Sequence, residues 1–450
     1  MLKLLYNTQE KGVICYMNIL VIGNGFDLAH GLPTKYNDFL EFCKMVSKIY
    51  ESEKLEVGQY EKICLDESNL NKEIQQQLLK VFETRKNRKD INDNNRIIHT
   101  FTTDYLGTDK FYTLIKDNIW IDYFLMNPLY QKENWIDFES EISRVIQSLD
   151  NDMHGLSGNC SIDDDIENLS NNYLYKKYSV DTGEVLTHIE EITYKELRNK
   201  LLNDLNRLIH AFEIYLTEYV EKIDCKLVSP DIQKILPKES MKVNEMSVYD
   251  GCVLSFNYTN TYQRLYVDKK YIDYIHGKAD INNTIETNNM VLGIDEYLGK
   301  KRRNKDIEFI AFKKYYQRIY KQTGSEYKRW VEIIKNQMQE IDDKIKNQYL
   351  VQIPYNRIPN KYRNQLYIFG HSLDVTDKDI LRDLILNDNV YTTIFYVNKN
   401  VMGQQIANLV KVIGQDELIR RTGGSTKTIE FKQQQKMEPV KSQQSEENRA

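Results

Sequence analysis

Short apolar runs mark both ends of this chain, with a long polar stretch between them. Residues 18–22, NILVI, are apolar up to Gly23, and from Phe26 the spacing turns helical through Leu28, Phe39, Leu40 and Phe42. That pattern predicts a buried strand, a glycine turn and a helix. From about residue 46 to 245 the chain is rich in Lys, Glu, Asn and Gln, with apolar residues every three or four positions and no comparable strand run. Residues 196–223 give the clearest amphipathic helix, with Leu201, Leu205, Leu208, Phe212, Ile214 and Tyr215 on one broad stripe. Residues 150–190, with Asp163, Asp164 and Asp165, predict an acidic loop. Strand signals return at 247–259, 271–277, 289–294, 365–372 and 391–397. Helical spacing is predicted over 306–347, 376–385 and 404–414, the last stopping at Gly414. Residues 416–450 end in low-complexity polar sequence and predict a disordered tail.

Strands alternating with helices predict an α/β fold with a mostly parallel sheet. The expected organisation is an extension at 1–16, a nucleotide-fold core from 17–45 and 246–415, a helical insertion at 46–245, and the tail at 416–450. A second methionine, Met17, directly precedes NILVIGNGFD, so residues 1–16 read as a dispensable extension or a misassigned start. Ligands of parallel α/β sheets sit beyond the carboxyl ends of the strands. Four segments meet that description: Gly23 to Asp27, Ser255 to Asn260, His276 to Gly277, and Gly370 to Asp374.

Charge and cysteine usage narrow the classes. With 61 basic and 66 acidic residues the net charge is -5, which supplies no global field for nucleic acid or acidic lipid. The six cysteines form no C-x-x-C pair, which argues against a zinc ribbon and for reduced thiols. No stretch reaches the ~18 consecutive apolar residues of a membrane span, so a soluble, cytoplasmic protein is expected.

At the first strand end, Gly23, Asn24 and Gly25 would let backbone N–H groups approach a phosphate; the alternative is a plain tight turn. The G-x-x-x-x-G-K-[ST] pattern of ordinary ATPases is absent. Asn257, in S-F-N-Y-T, has an amide that suits a ribose hydroxyl or a water, or else caps the next helix. His276, at a strand tip, is placed as a general base, although a lone histidine there is more often structural. In I-F-G-H-S-L-D, Gly370 permits close approach while His371 and Ser372 offer polar groups to a nucleotide. Asp374, Asp377 and Asp379 read as caps of the following helix, with Asp377 the favoured one and Thr376 competing. Two weaker clusters remain. Trp135, Asp137 and Glu139 alternate in N-W-I-D-F-E, and such carboxylates either enter a site or pair with Lys and Arg. Residues 309–321 form a basic, tyrosine-rich helix with Lys313, Lys314, Arg318 and Lys321, read as a solvated face or as a phosphate or RNA contact.

Taken together, V-I-G-N-G-F-D-L-A-H-G-L-P-T at 21–34, W-I-D-F-E at 135–139, S-F-N-Y-T at 255–259, I-H-G at 275–277, F-K-K at 312–314 and F-G-H-S-L-D at 369–374 resemble the AbiH family of bacterial abortive-infection proteins. The motifs span most of the chain in the expected order. The resemblance implies phage defence and a phage-derived trigger.

A more distant resemblance concerns chemistry. G-N-G-F-D-L-A-H-G-L-P at 23–33 is similar to the sirtuin cofactor loop, Asn257 falls on the sirtuin Asn of T-Q-N-x-D, His276 on its H-G base, and Gly370 to Leu373 on its late G-x-S-L element. This implies a Rossmann-like, sirtuin-like core that takes NAD as substrate and needs no metal. Asn257 and His276 would then be catalytic, and Gly23, Asn24, Gly25, Phe26, Asp27, His30, Gly370, His371, Ser372 and Asp374 would contact the dinucleotide. Departures matter. The zinc ribbon of protein deacetylases has no counterpart, Asp27 replaces a Ser, and Thr259 stands where an Asp belongs. A carboxylate beside a pyrophosphate is repulsive unless it turns toward a ribose hydroxyl. The leading expectation is therefore an antiphage NAD glycohydrolase. Alternatives are a non-catalytic nucleotide or ADP-ribose sensor controlling a partner, and a nucleic-acid-directed effector using the 309–321 helix. A homo-oligomer is left open.

Overall fold

A computed structural model describes residues 17–51, 56–92, 103–133, 136–154, 194–235, 251–266, 272–348 and 363–440. The proposed extension at 1–16, the acidic residues 163–165, Trp135 and the final residues 441–450 lie outside these.

The strands, in chain order, are β1 (Asn18–Ile22), β2 (Leu227–Val228), β3 (Cys252–Ser255), β4 (Ile272–Tyr274), β5 (Asn364–Phe369), β6 (Val390–Tyr396), β7 (Ile429–Gln433) and β8 (Glu438–Pro439). β2 and β8 pair antiparallel. The other six make one sheet in the order β4-β3-β1-β5-β6-β7, with every neighbouring pair parallel. Counted along the chain, that order is 3-2-1-4-5-6, so the direction in which strands are added reverses at β1.

The apolar runs are continuous because this sheet is buried on both faces. Ile19 and Val21 join Cys252, Leu254, Leu366, Ile368 and Ile394 on one face. There they pack against Trp330 of the helix Glu326–Gln348, Leu381 and Leu384 of Lys378–Ile385, and Leu409 and Val412 of Lys399–Ile413. The alternate residues Leu20, Ile22, Val253, Phe369 and Phe395 face the other way, against Phe26, Ile232, Tyr262 and Tyr266.

The chain divides into two compact units, and the boundaries differ from those expected. Of the described residues, those within 1–32, 224–276 and 323–450 form the sheet unit, and those within 33–223 and 277–322 form the other. Residues 277–322, expected in the core, thus belong with the helical unit, and residues 224–235, expected in the insertion, belong with the sheet. The expected strand at 289–294 is only an isolated bridge between Ile294 and Lys313. The polar tail is likewise corrected. Residues 415–440 contain the helix Gln415–Thr422, the sixth strand β7 and the pairing partner of β2. Asp231 fastens this segment by accepting from the Gln435 backbone N–H at 2.6 Å and from its side-chain amide at 2.7 Å.

The helical unit is aromatic-cored. Phe39 packs on Phe212 at 5.0 Å between ring centroids, and Phe124 stacks on Phe138 at 4.1 Å. The amphipathic helix is observed over Tyr194–Ile214, with Leu201, Leu205, Leu208 and Phe212 buried as its stripe requires. Two basic side chains are buried here as well. Lys314 Nζ lies 2.8 Å from Glu139, and Lys313 Nζ lies 2.8 Å and 3.0 Å from the Glu296 oxygens. Removing one partner of a buried pair leaves the other charge in low dielectric, so Glu139→Ala should destabilise the protein by about 3–5 kcal/mol. The double variant Glu139→Gln with Lys314→Met should recover most of that loss. Thermal denaturation of the two variants side by side checks the expectation; equal losses would contradict it.

Candidate functional site

The four strand ends singled out by sequence converge where the strand order reverses. The β1 loop and the β5 loop touch backbone to backbone. Gly23 N–H donates to Phe369 O at 3.2 Å and Gly25 N–H to Gly370 O at 2.8 Å. A Cβ on Gly23 would fall 2.8 Å from the His371 Cα, and one on Gly25 would fall 2.8 Å from the Gly370 Cα. The glycines are therefore required by the contact between two loops. Their amide hydrogens serve that contact, so the phosphate cradle expected of Gly23 and Gly25 is corrected. Asn24 is exposed at the start of the short helix Asn24–Ala29.

Beside this contact sits a buried polar cluster. Asp27 is 1% exposed, and its Oδ2 accepts from the Thr259 hydroxyl at 2.6 Å. Thr261 in turn donates to Thr259 at 3.1 Å. Asn257 is held by its backbone, whose N–H donates to Ser255 Oγ and whose carbonyl accepts from the same hydroxyl. Its side chain caps no helix. Asp27 Oδ1 and Asn257 Nδ2 are both buried and make no hydrogen bond within the protein. One is an acceptor and the other a donor.

Burial pushes the Asp27 carboxyl up to about 6, against the opposing pull of the Thr259 hydrogen bond, of the nearby Thr261 hydroxyl and Asn257 amide, neither of which is aligned to bond it, and of the Arg264 charge. An acid whose folded pKa is raised binds its proton more tightly when folded, so stability falls as pH rises from about 4 to about 6 and is constant beyond. The expected loss is about 3 kcal/mol. Asp27→Asn, which does not titrate, should therefore gain on the wild type by that amount between pH ~4 and pH ~7. Urea denaturation of both proteins across this window checks the sign.

The second cluster surrounds Phe256, whose ring meets His276 at 5.3 Å and 88°, and His371 at 4.3 Å and 71°. Both imidazoles are 5% exposed and both face Asp377. His276 Nε2 is 3.2 Å from Asp377 Oδ1, and His371 Nε2 is 3.5 Å from Asp377 Oδ2. The His276 contact lacks the alignment of a hydrogen bond and is electrostatic. On its other side, His371 Nδ1 accepts from the Leu373 N–H at 2.9 Å. That bond is available because Leu373 adopts a left-handed conformation, φ 60°, which folds the loop back on itself.

Asp377 was the residue most expected to cap its helix, and it makes no such bond. The capping role falls to Asp374, whose Oδ1 accepts from the Thr376 N–H at 3.0 Å at the start of the 3-10 turn Val375–Asp377. Sequence reasoning thus missed Asp377 as a site residue. Acidic residues at a helix start are so often caps that no local signal marked it as different.

The remaining residues separate from the site. Phe26 is fully buried core, packed on Tyr262, Tyr266 and Phe369. His30 has both ring nitrogens engaged, Nδ1 with Phe26 O and Nε2 with the Tyr266 hydroxyl, each at 2.7 Å. The Ser229 N–H donates to the same hydroxyl at 2.6 Å, which completes a chain serving a neutral imidazole. Burial lowers the His30 pKa in agreement. His30 is accordingly structural. Ser372 is exposed, and its carbonyl accepts from Asn408. The nucleic-acid reading of the 309–321 segment loses its basis, since Lys313 and Lys314 are buried against carboxylates and Lys321 donates to Met290 O. Burial brings the Lys321 ammonium down to about 8. Charge reversal at Lys313 or Lys314 would therefore test folding rather than binding. Among the described residues no group of three or more His, Cys, Asp or Glu is arranged to hold a metal ion, and no helix is long and apolar enough to cross a membrane.

The fold and site define a class: an α/β protein with a parallel, doubly added sheet whose buried carboxylate, amide and imidazoles gather at the carboxyl ends of the strands, where such sheets take their ligands. Within that class, the chain belongs to the family of bacteriophage abortive infection AbiH proteins, whose model matches residues 19–398. Membership points to a role in abortive phage infection. No curated protein and no solved structure matches the chain.

Proposed function

We propose that the chain acts in phage defence by hydrolysing NAD at the nicotinamide–ribose bond, at the carboxyl ends of the strands that carry the two polar clusters, Asp27 with Asn257 and His276 with His371. The observation that carries the reading is the pair of buried, unpartnered atoms, Asp27 Oδ1 and Asn257 Nδ2. A sugar hydroxyl is their complement, since it donates to a carboxylate while accepting from an amide. A buried polar group without a partner costs about 1–3 kcal/mol, so a ligand that satisfies both atoms gains on each. The 3-2-1-4-5-6 strand order, which Rossmann dinucleotide-binding sheets share, supports a dinucleotide as the ligand, as does the sirtuin resemblance of the strand-end motifs.

Bond cleavage releases neutral nicotinamide and builds positive charge on the ribose. Asp27, ionised at neutral pH, would stabilise that charge while holding a ribose hydroxyl. Asn257 would fix the ribose or the attacking water, and His276 would accept the proton as water adds to the anomeric carbon. Water and NAD thus give nicotinamide, ADP-ribose and one proton.

The test is incubation of the purified full chain with NAD, alone and with phage components, followed by chromatography. Nicotinamide and ADP-ribose should appear in equal amounts. Absence of turnover under every condition would sink the enzymatic reading, and calorimetric binding of ADP-ribose without product would assign the site to a nucleotide sensor.

A further inference from the structure

We propose that Asp377 is the positioning residue of this site, its carboxylate holding His276 and His371 together as a coupled pair with the protonated Nε2 of each ring turned toward it. The inference rests on the functional reading above only for its kinetic consequence; its geometric part stands alone.

Three observations fix the arrangement. His371 accepts the Leu373 N–H at its Nδ1, so a neutral ring must carry its proton on Nε2, the nitrogen that faces Asp377 Oδ2. His276 presents Nε2 to the other oxygen of the same carboxylate at 3.2 Å. A nitrogen lone pair at that distance from a carboxylate oxygen would be repulsive, whereas an N–H dipole is attracted even off-axis, so Nε2 again carries the proton. Phe256 stands edge-on or tilted to both rings and restricts their rotation. The proton-accepting nitrogen of neutral His276 is then Nδ1.

The placement of Asp377 is itself constrained. It lies between a 3-10 turn capped by Asp374 and the helix Lys378–Ile385, and its side chain leaves the helix N-terminus uncapped to reach the imidazoles. A carboxylate behind an imidazole sets the tautomer and steadies the imidazolium formed on proton uptake, the roles an orienting acid has in other imidazole bases. In this chain one carboxylate serves two rings.

The experiment is nitrogen NMR of full-length protein labelled at histidine only, which leaves 7 residues to assign. It is run well above the usual imidazole pKa of about 6.5 so that the rings are neutral. The wild type should show His276 and His371 each protonated at Nε2; a wild-type His276 protonated at Nδ1 overturns the proposal without any variant. In Asp377→Asn the His276 nitrogens should move toward tautomer-averaged shifts, while Asp377→Glu should keep the wild-type pattern. Unchanged His276 shifts in folded Asp377→Asn would also overturn it. On NAD, Asp377→Asn should lower kcat by about 10–100-fold with little change in KM, and Asp377→Glu should restore part of the rate. A wild type that fails to turn over NAD would defeat the functional reading while the tautomers still decide the role of Asp377.

Discussion

Gly370→Ala is expected to yield little or no folded protein. Gly370 has φ +69°, in the left-handed region, and a Cβ there would overlap the backbone nitrogen of Phe26 and fall 2.5 Å from the Gly25 carbonyl carbon. The obstructing atoms are main chain of the β1 loop, so no rotamer change can relieve the overlap. Relief requires parting the loops, which breaks the Gly25 N–H bond to Gly370 O and the packing of Phe26 on Phe369. Strain at positive φ alone costs about 1–3 kcal/mol, and the lost packing adds to it in a sheet whose central strands are β1 and β5. Two glycines outside the contact give the comparison. Gly31 has φ +81° but nothing within 4 Å of a built Cβ, so Gly31→Ala should cost only about 1 kcal/mol. Gly403, inside the helix Lys399–Ile413 with open space around it, should tolerate Ala with a gain of about 0.5–1 kcal/mol. Soluble yield and thermal denaturation of the three variants check the order. A folded Gly370→Ala protein as stable as Gly31→Ala would show that the loops are not held together as described.

The same loop contact bears on what the sequence could tell. G-N-G after a strand reads equally as a phosphate loop or a tight turn, and only the partner loop around Gly370 decides between them. The interior strands β1 and β3 were legible because burial on both faces makes them largely apolar runs, NILVI and CVLS. β7 was hidden because it lies at the sheet edge, where Ile429 is buried while Lys432 and Gln433 are exposed, so its composition resembles a polar tail. The two-part helical unit was hidden for another reason. Membership of residues 277–322 in that unit is expressed in pairings such as Lys314 with Glu139, whose partners are distant in sequence. Within the site, Asn257, His276 and His371 were legible as polar residues at strand tips. Asp377 was not, since its function depends on two histidines delivered by different strands.

Substitution of His276 carries the largest kinetic expectation. If His276 takes the proton from the attacking water or the ribose, its loss should lower the NAD turnover rate by about 10²–10⁴-fold, the usual range for a positioned general base. Alanine is a poor probe alone, because it opens space beside Phe256 and leaves Asp377 facing a void. His276→Asn is the sharper variant: it retains a planar polar group near Asp377 but cannot accept a proton at neutral pH. It should fold with nearly wild-type thermal stability, bind ADP-ribose, and fail to release nicotinamide. Asn257→Ala should differ, since removing Nδ2 takes away a ligand contact as well as any transition-state contact; both KM and kcat should suffer. His30→Asn supplies the control for a buried histidine outside the reaction. It breaks the bonds to Phe26 O and Tyr266 and should lower stability, while the residual folded enzyme keeps its rate. In cells, His276→Asn should remove protection against phage without removing the protein. A folded His276→Asn enzyme that turns over NAD within about threefold of wild type would rule out His276 as the base, because proton transfer by a positioned side chain is worth at least ~10².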